Sequence, residues 1–357
     1  MNLKSFFGRR QEEMVGVDIS SWGIKVVGLS GCMAQPVLEV LASTRLSGEH
    51  MVGGTVVKMH SVAEALRSLW RENRIKAKKV ALALPSAAVF TKKIMVEADL
   101  SSWDMEAQVE EEARPYIPFP LEEVSLDFCP LGPNPQHPEM IDVLLAAARR
   151  DRVQNLLDLA ALAELEARVV EVQSNALRLA NRRLVDLYLP GKEDALVLLL
   201  KLGAGRTWMQ LTVGDSIVYE RDQAVGGDQL TYRIAAHYDC SKVEAERKKY
   251  AFALAQDFES SVLVPYISAT VQVLERAIQF IHHSTPYSKI HQIFLAGGGA
   301  MVPGLAKAIS TALQLPCTLV DPFKGMRLAP QVRSHPQLQE APLFFGACGL
   351  ALRGFGL

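Results

Sequence analysis

The residues with the most evident chemical potential lie in a short turn near the start of the chain. Two apolar runs, Val15–Ile19 and Ile24–Leu29, flank a turn of small hydroxyl residues and a glycine. This pattern predicts a β-hairpin with a polar tip. A carboxylate near the strand end could hold a cation or a water, and the turn N–H groups with a nearby ammonium could bind a phosphate. The residues concerned are Asp18, Ser20, Ser21, Gly23 and Lys25. An ordinary hairpin with a solvated tip is an equally good interpretation of this stretch taken alone.

The segment Leu196–Leu211 repeats this layout in the second half of the chain. When the two segments are aligned, Lys201 falls on Asp18, and a second turn of small residues follows the strand. Such a duplication predicts two related domains whose turns face one cleft, where they could clamp a polyphosphate. The residues of the second turn that would face the phosphates are Gly203, Ala204, Gly205 and Thr207.

Two further groups of glycines precede predicted helices. Gly226 and Gly227 come before a helix expected from about Thr231 to Tyr238, and a helix N-terminus can bind a phosphate or a ribose oxygen. The run Gly297–Gly299 lies between a predicted strand and a helix, where glycines would let a flat ligand approach the backbone. A tight strand-to-helix turn is the alternative interpretation of that run.

Composition and charge narrow the class of protein. The chain has 357 residues, enough for two or more domains, with 38 Lys and Arg against 39 Asp and Glu. This balance gives no electrostatic argument for binding nucleic acid or an anionic membrane. The cysteines are scattered without zinc or dithiol spacing, and the apolar runs fall far short of the ~20 residues that span a bilayer. These features predict a cytoplasmic protein with free thiols.

The start of the chain predicts a βββαβ unit. After the first hairpin, Pro36–Arg45 has the pattern of a third strand. Ser61–Asn73 has the pattern of a helix, with Ser61 as N-cap and Glu64 completing a capping box. Val80–Leu84 would be the following strand, and this layout is typical of the ribonuclease-H-like fold.

The next segment predicts a compact insertion of strands and one acidic helix. Val89–Val96 alternates as a strand, and Ser101 would cap a helix that ends before a proline-rich run, Tyr116–Pro120. Leu121–Leu131 and Ile141–Ala147 have the pattern of strands. The glutamates of the helix are assigned to a solvated face and not to a metal site; they are Glu106, Glu110, Glu111 and Glu112.

The sequence therefore predicts an α/β protein with two ribonuclease-H-like domains around a nucleotide cleft. Domain 1 would comprise residues 1–85, 166–190 and 340–357, with residues 86–165 as the inserted subdomain. Domain 2 would comprise residues 191–339, with a lobe at about 226–285 that includes a helix over Val243–Ala255. A final apolar helix, Ala341–Phe355, is expected to pack back on domain 1.

These loops together resemble those of the actin/Hsp70/FtsA superfamily of nucleotide-binding proteins. The first hairpin looks like its first phosphate loop, Leu198–Leu211 like its second, and Leu295–Leu305 like its adenosine loop. Within that group, the whole chain resembles the PilM family of type IV pilus assembly proteins. The matching motifs are Gly16–Ser21, the proline-rich run Tyr116–Val124, Asp142–Ala147 and Ala347–Arg353.

The resemblance implies a four-subdomain, actin-like fold with an FtsA-like insertion and with ATP between the two halves. Asp18 would hold Mg²⁺ or its water. The ribose and base would lie beside Gly226, Gly227, Glu246 and Lys249, and the adenine would lie over Gly297, Gly298 and Gly299. It also implies that a groove beside the insertion binds the short N-terminal cytoplasmic peptide of the inner-membrane protein PilN. Such a protein would link the PilN–PilO subcomplex to the pilus motor ATPases, form a ring, and lie against the inner membrane through its partners.

Lys201 departs from the family pattern, which has an aspartate at this strand end. Because lysine cannot hold magnesium or orient the attacking water, we expect slow ATP hydrolysis or none. A complete loss of nucleotide binding stays open, since Arg206 adds bulk to the second turn.

Two other classes of protein share these hairpins. A small-molecule kinase would need a catalytic acid beside a substrate pocket, and no such motif is found. A filament-forming FtsA-type ATPase would carry a C-terminal amphipathic membrane helix, whereas this chain ends Phe355–Leu357 without a basic one.

Overall fold

The computed structural model describes residues 13–46, 48–251, 257–287 and 289–356. The chain divides into two compact units. The larger unit contains Met1–Leu46 and Asn175–Leu357, and the smaller unit contains Ser47–Ser174.

The described ranges contain both strands and helices. The strands are β1 Met14–Ile19, β2 Gly23–Cys32, β3 Gln35–Arg45, β4 Met51–Val52, β5 Thr55–Val56, β6 Lys79–Leu84, β7 Val89–Glu97, β8 Val124–Pro133, β9 Met140–Arg149, β10 Glu166–Val172, β11 Leu196–Leu202, β12 Thr207–Val213, β13 Ser216–Gln223, β14 Gln292–Ala296, β15 Cys317–Leu319 and β16 Arg327–Leu328. The α-helices are α1 Met59–Glu72, α2 Ser102–Ala113, α3 Arg150–Leu162, α4 Gln173–Tyr188, α5 Gly227–His237, α6 Lys242–Ala251, α7 Val264–Ser284, α8 Leu305–Leu313 and α9 Phe345–Leu352.

The first hairpin forms as predicted, and it begins an antiparallel meander. β1 pairs with β2 in a register that runs from Val15 opposite Gly28 to Ile19 opposite Ile24. β2 pairs in turn with β3, and the short strand β16 lies parallel to β3. The turn is tight, because Ser20 and Gly23 exchange backbone hydrogen bonds of 3.0 and 3.1 Å.

The second hairpin also forms, and it leads into a second meander, β11–β12–β13. Strands β14 and β15 extend this sheet in the parallel direction beyond β11. β11 is apolar along most of its length because both of its faces are covered. Val197 and Leu199 belong to one buried apolar cluster, and Leu198 and Leu200 belong to another.

Helix α9 is buried along its whole length and packs against β1 and β2. Small residues allow this close approach. A Cβ on Gly16 would lie 2.2 Å from the Ala347 carbonyl oxygen, and one on Gly349 would lie 1.9 Å from that of Ala176. The C-terminal helix, which the sequence predicts over Ala341–Phe355, is shorter than expected. The residues from Pro336 to Phe344 form a 3-10 segment, and α9 begins only after it.

The smaller unit contains the predicted acidic helix and its strands. β9 is the central strand of a three-stranded antiparallel sheet between β7 and β8. Val109 and Ala113 of α2 are buried in the apolar cluster of this sheet, while the glutamates of the helix are exposed. The interpretation of those glutamates as a solvated face is thus confirmed. Strands β6 and β10 of the same unit pair in parallel, and α3 packs on both.

Several predicted boundaries are wrong or incomplete. Ser61 does not cap α1, because the Val62 N–H already donates to the Lys58 carbonyl, so the helix begins about one turn earlier. Leu121–Glu123 is a 3-10 turn, and β8 starts only at Val124. The end of the helix predicted over Val243–Ala255 lies outside the described residues. In the ranges that the structure describes, no helix combines the length and apolar character needed to cross a membrane.

Candidate functional site

The ends of β1 and β11 meet in the larger unit, and they bring Asp18 and Lys201 together. The Lys201 Nζ lies 3.5 Å from Oδ2 of Asp18. Lys25, the cross-strand partner of Asp18, places its own Nζ 3.9 Å from the same oxygen. Side-chain exposure is 13 % for Asp18 and Lys201 and 5 % for Lys25, so the three charges form a buried cluster.

The charges of this cluster depend on one another. Burial opposes ionisation of Asp18, but the attraction of Lys201 and Lys25 outweighs it and lowers the pKa of the carboxyl below its ordinary value. Burial lowers the pKa of Lys25 to about 8, although Asp18 favours its charged form. Lys25 also donates to the Ser20 hydroxyl and to the Gly23 carbonyl oxygen, so its ammonium is held at the predicted first phosphate turn.

The donors around Asp18 do not suit Mg²⁺. Magnesium requires close to octahedral coordination by oxygen, and one carboxylate oxygen here already faces two ammonium groups. Over the described part of the chain, no group of three or more His, Cys, Asp or Glu side chains could hold a metal ion. The contacts of Asp18 thus differ from those that magnesium prefers, and the metal-binding role of Asp18 stays a prediction.

The second turn is held by contacts within the protein. The Gly203 N–H donates to the Arg206 carbonyl oxygen at 2.8 Å, which closes the turn. The Thr207 hydroxyl donates to the Val225 carbonyl oxygen at 2.7 Å and is fully buried. Gly205 has open space around it, since a Cβ there would have no neighbour within 4 Å.

The glycine pair before α5 packs against this second turn. The Gly227 N–H donates to the Gly203 carbonyl oxygen at 3.0 Å, and the Asp228 N–H donates to that of Ala204 at 2.7 Å. A Cβ on Gly226 would lie 2.4 Å from the Ala204 oxygen. These N-terminal donors of α5 thus bind the neighbouring loop, and the close backbone approach explains why Gly226 must be glycine.

The run Gly297–Gly299 lies against the end of β11. Gly297 has a positive φ of 87°, and a Cβ there would lie 2.3 Å from the Leu202 carbonyl oxygen. A Cβ on Gly299 would lie 3.0 Å from the Gly203 oxygen, whereas one on Gly298 would meet only Leu343, at 3.3 Å. The tight-turn interpretation accounts for Gly297 without any ligand.

Glu246 and Lys249 belong to an ion-pair network that connects β3 to α6. Glu246 contacts Lys249 Nζ at 2.8 Å and Arg45 Nη2 at 2.9 Å, and Lys249 donates to the Thr231 hydroxyl at 2.8 Å. Burial opposes ionisation of Glu246, but hydrogen bonds from Lys249 and Thr231 lower its pKa overall. Trp22 lies nearby, with the Arg45 guanidinium 5.3 Å and the Lys25 ammonium 5.5 Å from its ring.

Sequence reasoning missed several residues of this site. They are Trp22, Arg45, Thr231 and Gly346. The tryptophan is the only large residue in the first turn, and that contrast could have drawn attention to it. No local sequence pattern indicates a role for Arg45, because its partner Glu246 is 201 positions away.

The two three-stranded meanders, joined through the ends of β1 and β11 and backed by helices, define an α/β protein of the actin-like ATPase fold. Nucleotide and metal binding are general properties of that fold class. Residues 16–355 match the family model described as type IV pilus assembly protein PilM, and the chain belongs to this family.

Solved structures agree with that assignment. A chain from a PilM–PilN type IV pilus biogenesis complex is 30% identical, with a TM-score of 0.78, and the match covers 97% of this chain and 99% of that one. The ethanolamine utilization protein EutJ from Carboxydothermus hydrogenoformans is similar in fold, with 16% identity, a TM-score of 0.57 and coverage of 95% and 88%. The two alternatives, a small-molecule kinase and an FtsA-type filament protein, are not favoured by these matches.

Proposed function

We propose that this protein is a scaffold of type IV pilus assembly that docks the N-terminal cytoplasmic peptide of PilN. The observation that carries the proposal is the match, nearly end to end, to a chain from a PilM–PilN complex. Similarity at this level over the whole length favours a shared binding partner as well as a shared fold.

An exposed aromatic surface on the smaller unit supports peptide docking there. Tyr116 and Phe119, from the proline-rich run, are 43% and 42% exposed. The Lys92 ammonium lies 4.3 Å from the ring of Tyr116, and the Arg149 guanidinium lies 5.6 Å from that of Phe119. Oriented aromatic side chains are frequent anchors of protein interfaces, so we assign these two rings to the peptide-binding surface.

The docking is tested with a fluorescent peptide from the N-terminus of PilN of the same organism, titrated by anisotropy. We expect saturable binding, weakened at least about tenfold in the double variant Tyr116→Ala/Phe119→Ala. The matched control is Tyr232→Ala, because Tyr232 is also exposed (56%) and also carries an ammonium, from Lys242, 4.8 Å from its ring. Absence of binding to the unaltered protein would refute the docking itself, and an equal effect of all variants would refute the assigned surface.

We further propose that the cleft binds ATP and that the ammonium groups of Lys25 and Lys201 neutralise its phosphates. The proposal is supported by the packing of Gly227 and Gly299 against Gly203, which follows Lys201 at the end of β11, and by the open space at Gly205 in the second turn. Lysine cannot orient an attacking water as a base, so hydrolysis should be slow or absent. Calorimetric titration with ATP and a phosphate-release assay test the two parts separately.

The wider assembly follows from the same proposal. The protein would connect the PilN–PilO subcomplex to the motor ATPases, as a ring at the cytoplasmic side of the inner membrane, with residues 86–165 as its inserted subdomain. Cell fractionation is the direct test: the protein should be in the membrane fraction when PilN is present and leave it when PilN lacks its N-terminal peptide.

A further inference from the structure

We infer that Lys201 is a built-in cation that stands in place of a divalent metal ion and joins the two sheets of the larger unit without any ligand. Asp18 and Lys201 occupy equivalent positions of the duplicated hairpins, and their side chains meet at 3.5 Å. A carboxylate at position 201 would face the carboxylate of Asp18 across a buried gap, and such a pair needs a cation or a proton between its members. The ammonium of Lys201 supplies that positive charge from within the chain. This inference does not depend on the peptide docking proposed above.

Gly346 of α9 makes room for this ion pair. A Cβ on Gly346 would lie 2.7 Å from Asp18 Oδ2 and 3.2 Å from Lys201 Nζ. A larger residue at position 346 would therefore press on both charged groups, and glycine avoids this contact. Lys25 adds a second ammonium, 3.9 Å from the same carboxylate oxygen. A divalent ion bound there would lie close to two positive charges with little water to screen them, which disfavours its entry.

A second ion pair also joins the first sheet to the later part of the larger unit. Arg45, at the end of β3, contacts Glu246 of α6 at 2.9 Å, and Glu246 is held from its other oxygen by Lys249. The Asp18–Lys201 pair connects the first sheet to the second, and the Arg45–Glu246 pair connects the first sheet to a helix that follows the second meander. The arrangement seen here thus carries its own electrostatic links between the two halves of the site.

The main experiment measures thermal unfolding with and without millimolar MgCl₂, against NaCl of equal ionic strength. The unaltered protein should show no specific response to Mg²⁺. Lys201→Asp should unfold about 5 °C or more lower in NaCl, because it places two carboxylates together, and MgCl₂ should restore part of that loss. Lys192→Asp is the control, since it makes the same charge change at an exposed position shortly before β11. MgCl₂ should not raise the unfolding temperature of this variant.

A double-mutant cycle covers the case in which Lys201→Asp fails to fold. Asp18→Asn and Lys201→Met should each lower the unfolding temperature, and the double variant should lose clearly less than the sum of the two shifts. The inference is overturned if the two shifts simply add, or if Mg²⁺ stabilises the unaltered protein as much as it stabilises Lys201→Asp. Both readouts are independent of PilN, so failure here and failure of the docking proposal can be told apart.

Discussion

At the scale of single residues, burial decides which of the cysteines can react. Burial raises the pKa of the Cys348 and Cys317 thiols to about 12, whereas Cys32 and Cys129 are exposed. Since the thiolate is the reactive form, iodoacetamide at about pH 8 should label Cys32 and Cys129 in the native protein and leave Cys348 unmodified. Peptide mass spectrometry gives the extent at each site, and a denatured sample provides the fully labelled reference. Equal labelling of Cys348 and Cys129 would contradict the buried position of α9.

Glu246 should contribute a pH-dependent part of the stability. Its pKa is lowered from 4.5 in the folded protein, so the unfolded chain binds more protons over that range. The contribution is fully present above about pH 4.5 and is lost as the pH falls through the folded-state value. Glu246→Gln should therefore lower the unfolding temperature at neutral pH, and the difference should shrink below pH 4.5.

The control for Glu246 is Glu244→Gln, which removes an exposed carboxylate from the same helix. Thermal unfolding followed by circular dichroism across the pH range measures both variants. A difference between Glu246→Gln and the unaltered protein that stays constant with pH would show that the network stabilises through packing and not through charge.

At the scale of elements, α9 depends on glycine at its contact with α4. Gly349→Ala would place a Cβ 1.9 Å from the Ala176 carbonyl oxygen, which is backbone and cannot turn away. We expect a loss of about 1–3 kcal/mol from the free energy of unfolding, measured in urea. Gly205→Ala is the matched control, because its Cβ would meet nothing within 4 Å, and it should change stability little. A small loss for Gly349→Ala would mean that α9 can shift away from α4.

The start of α2 is set by a local capping hydrogen bond. The Asp104 N–H donates to the Ser101 hydroxyl at 3.2 Å, as the sequence predicts. Ser101→Ala should lower the free energy of unfolding by about 1 kcal/mol. Ser61→Ala is the natural comparison, since Ser61 lies inside the first turn of α1 and caps nothing, and its replacement should have little effect. Equal losses in the two variants would argue against capping as the cause.

These two serines also show what the sequence can predict about elements and why. Both serines have the pattern of an N-cap, but Met59 and His60 extend α1 upstream of Ser61, so Ser61 lies within a helix. Hairpins were predictable because alternation and turn residues are local signals. The facing of Asp18 and Lys201 was predictable from the duplication. The need for glycine at position 226 was not predictable, because it depends on the close approach of the Ala204 carbonyl, which belongs to another loop.

At the scale of the larger unit, one apolar core serves both sheets. A single buried cluster includes Val27 and Leu41 of the first sheet, Leu199 and Phe294 of the second, and Phe344 beside α9. Because side chains of both sheets pack into the same cluster, neither sheet has a complete core of its own on that side. The actin-like halves of this unit should therefore unfold together. The ion pairs Asp18–Lys201 and Arg45–Glu246 would add to the stability that the shared core provides.

Removal of one central side chain tests this cooperativity. Phe344 is fully buried, and its ring centroid lies 6.2 Å from that of Phe323. Phe344→Ala should cost about 3–5 kcal/mol and lower the amide protection of β2 and β11 by similar amounts in hydrogen exchange. Phe280→Ala, at a half-exposed position on α7, should leave both strands nearly unchanged. If only one strand lost amide protection, the two sheets would be separate folding units. The ion pairs Asp18–Lys201 and Arg45–Glu246 would then be what couples the stability of one sheet to that of the other.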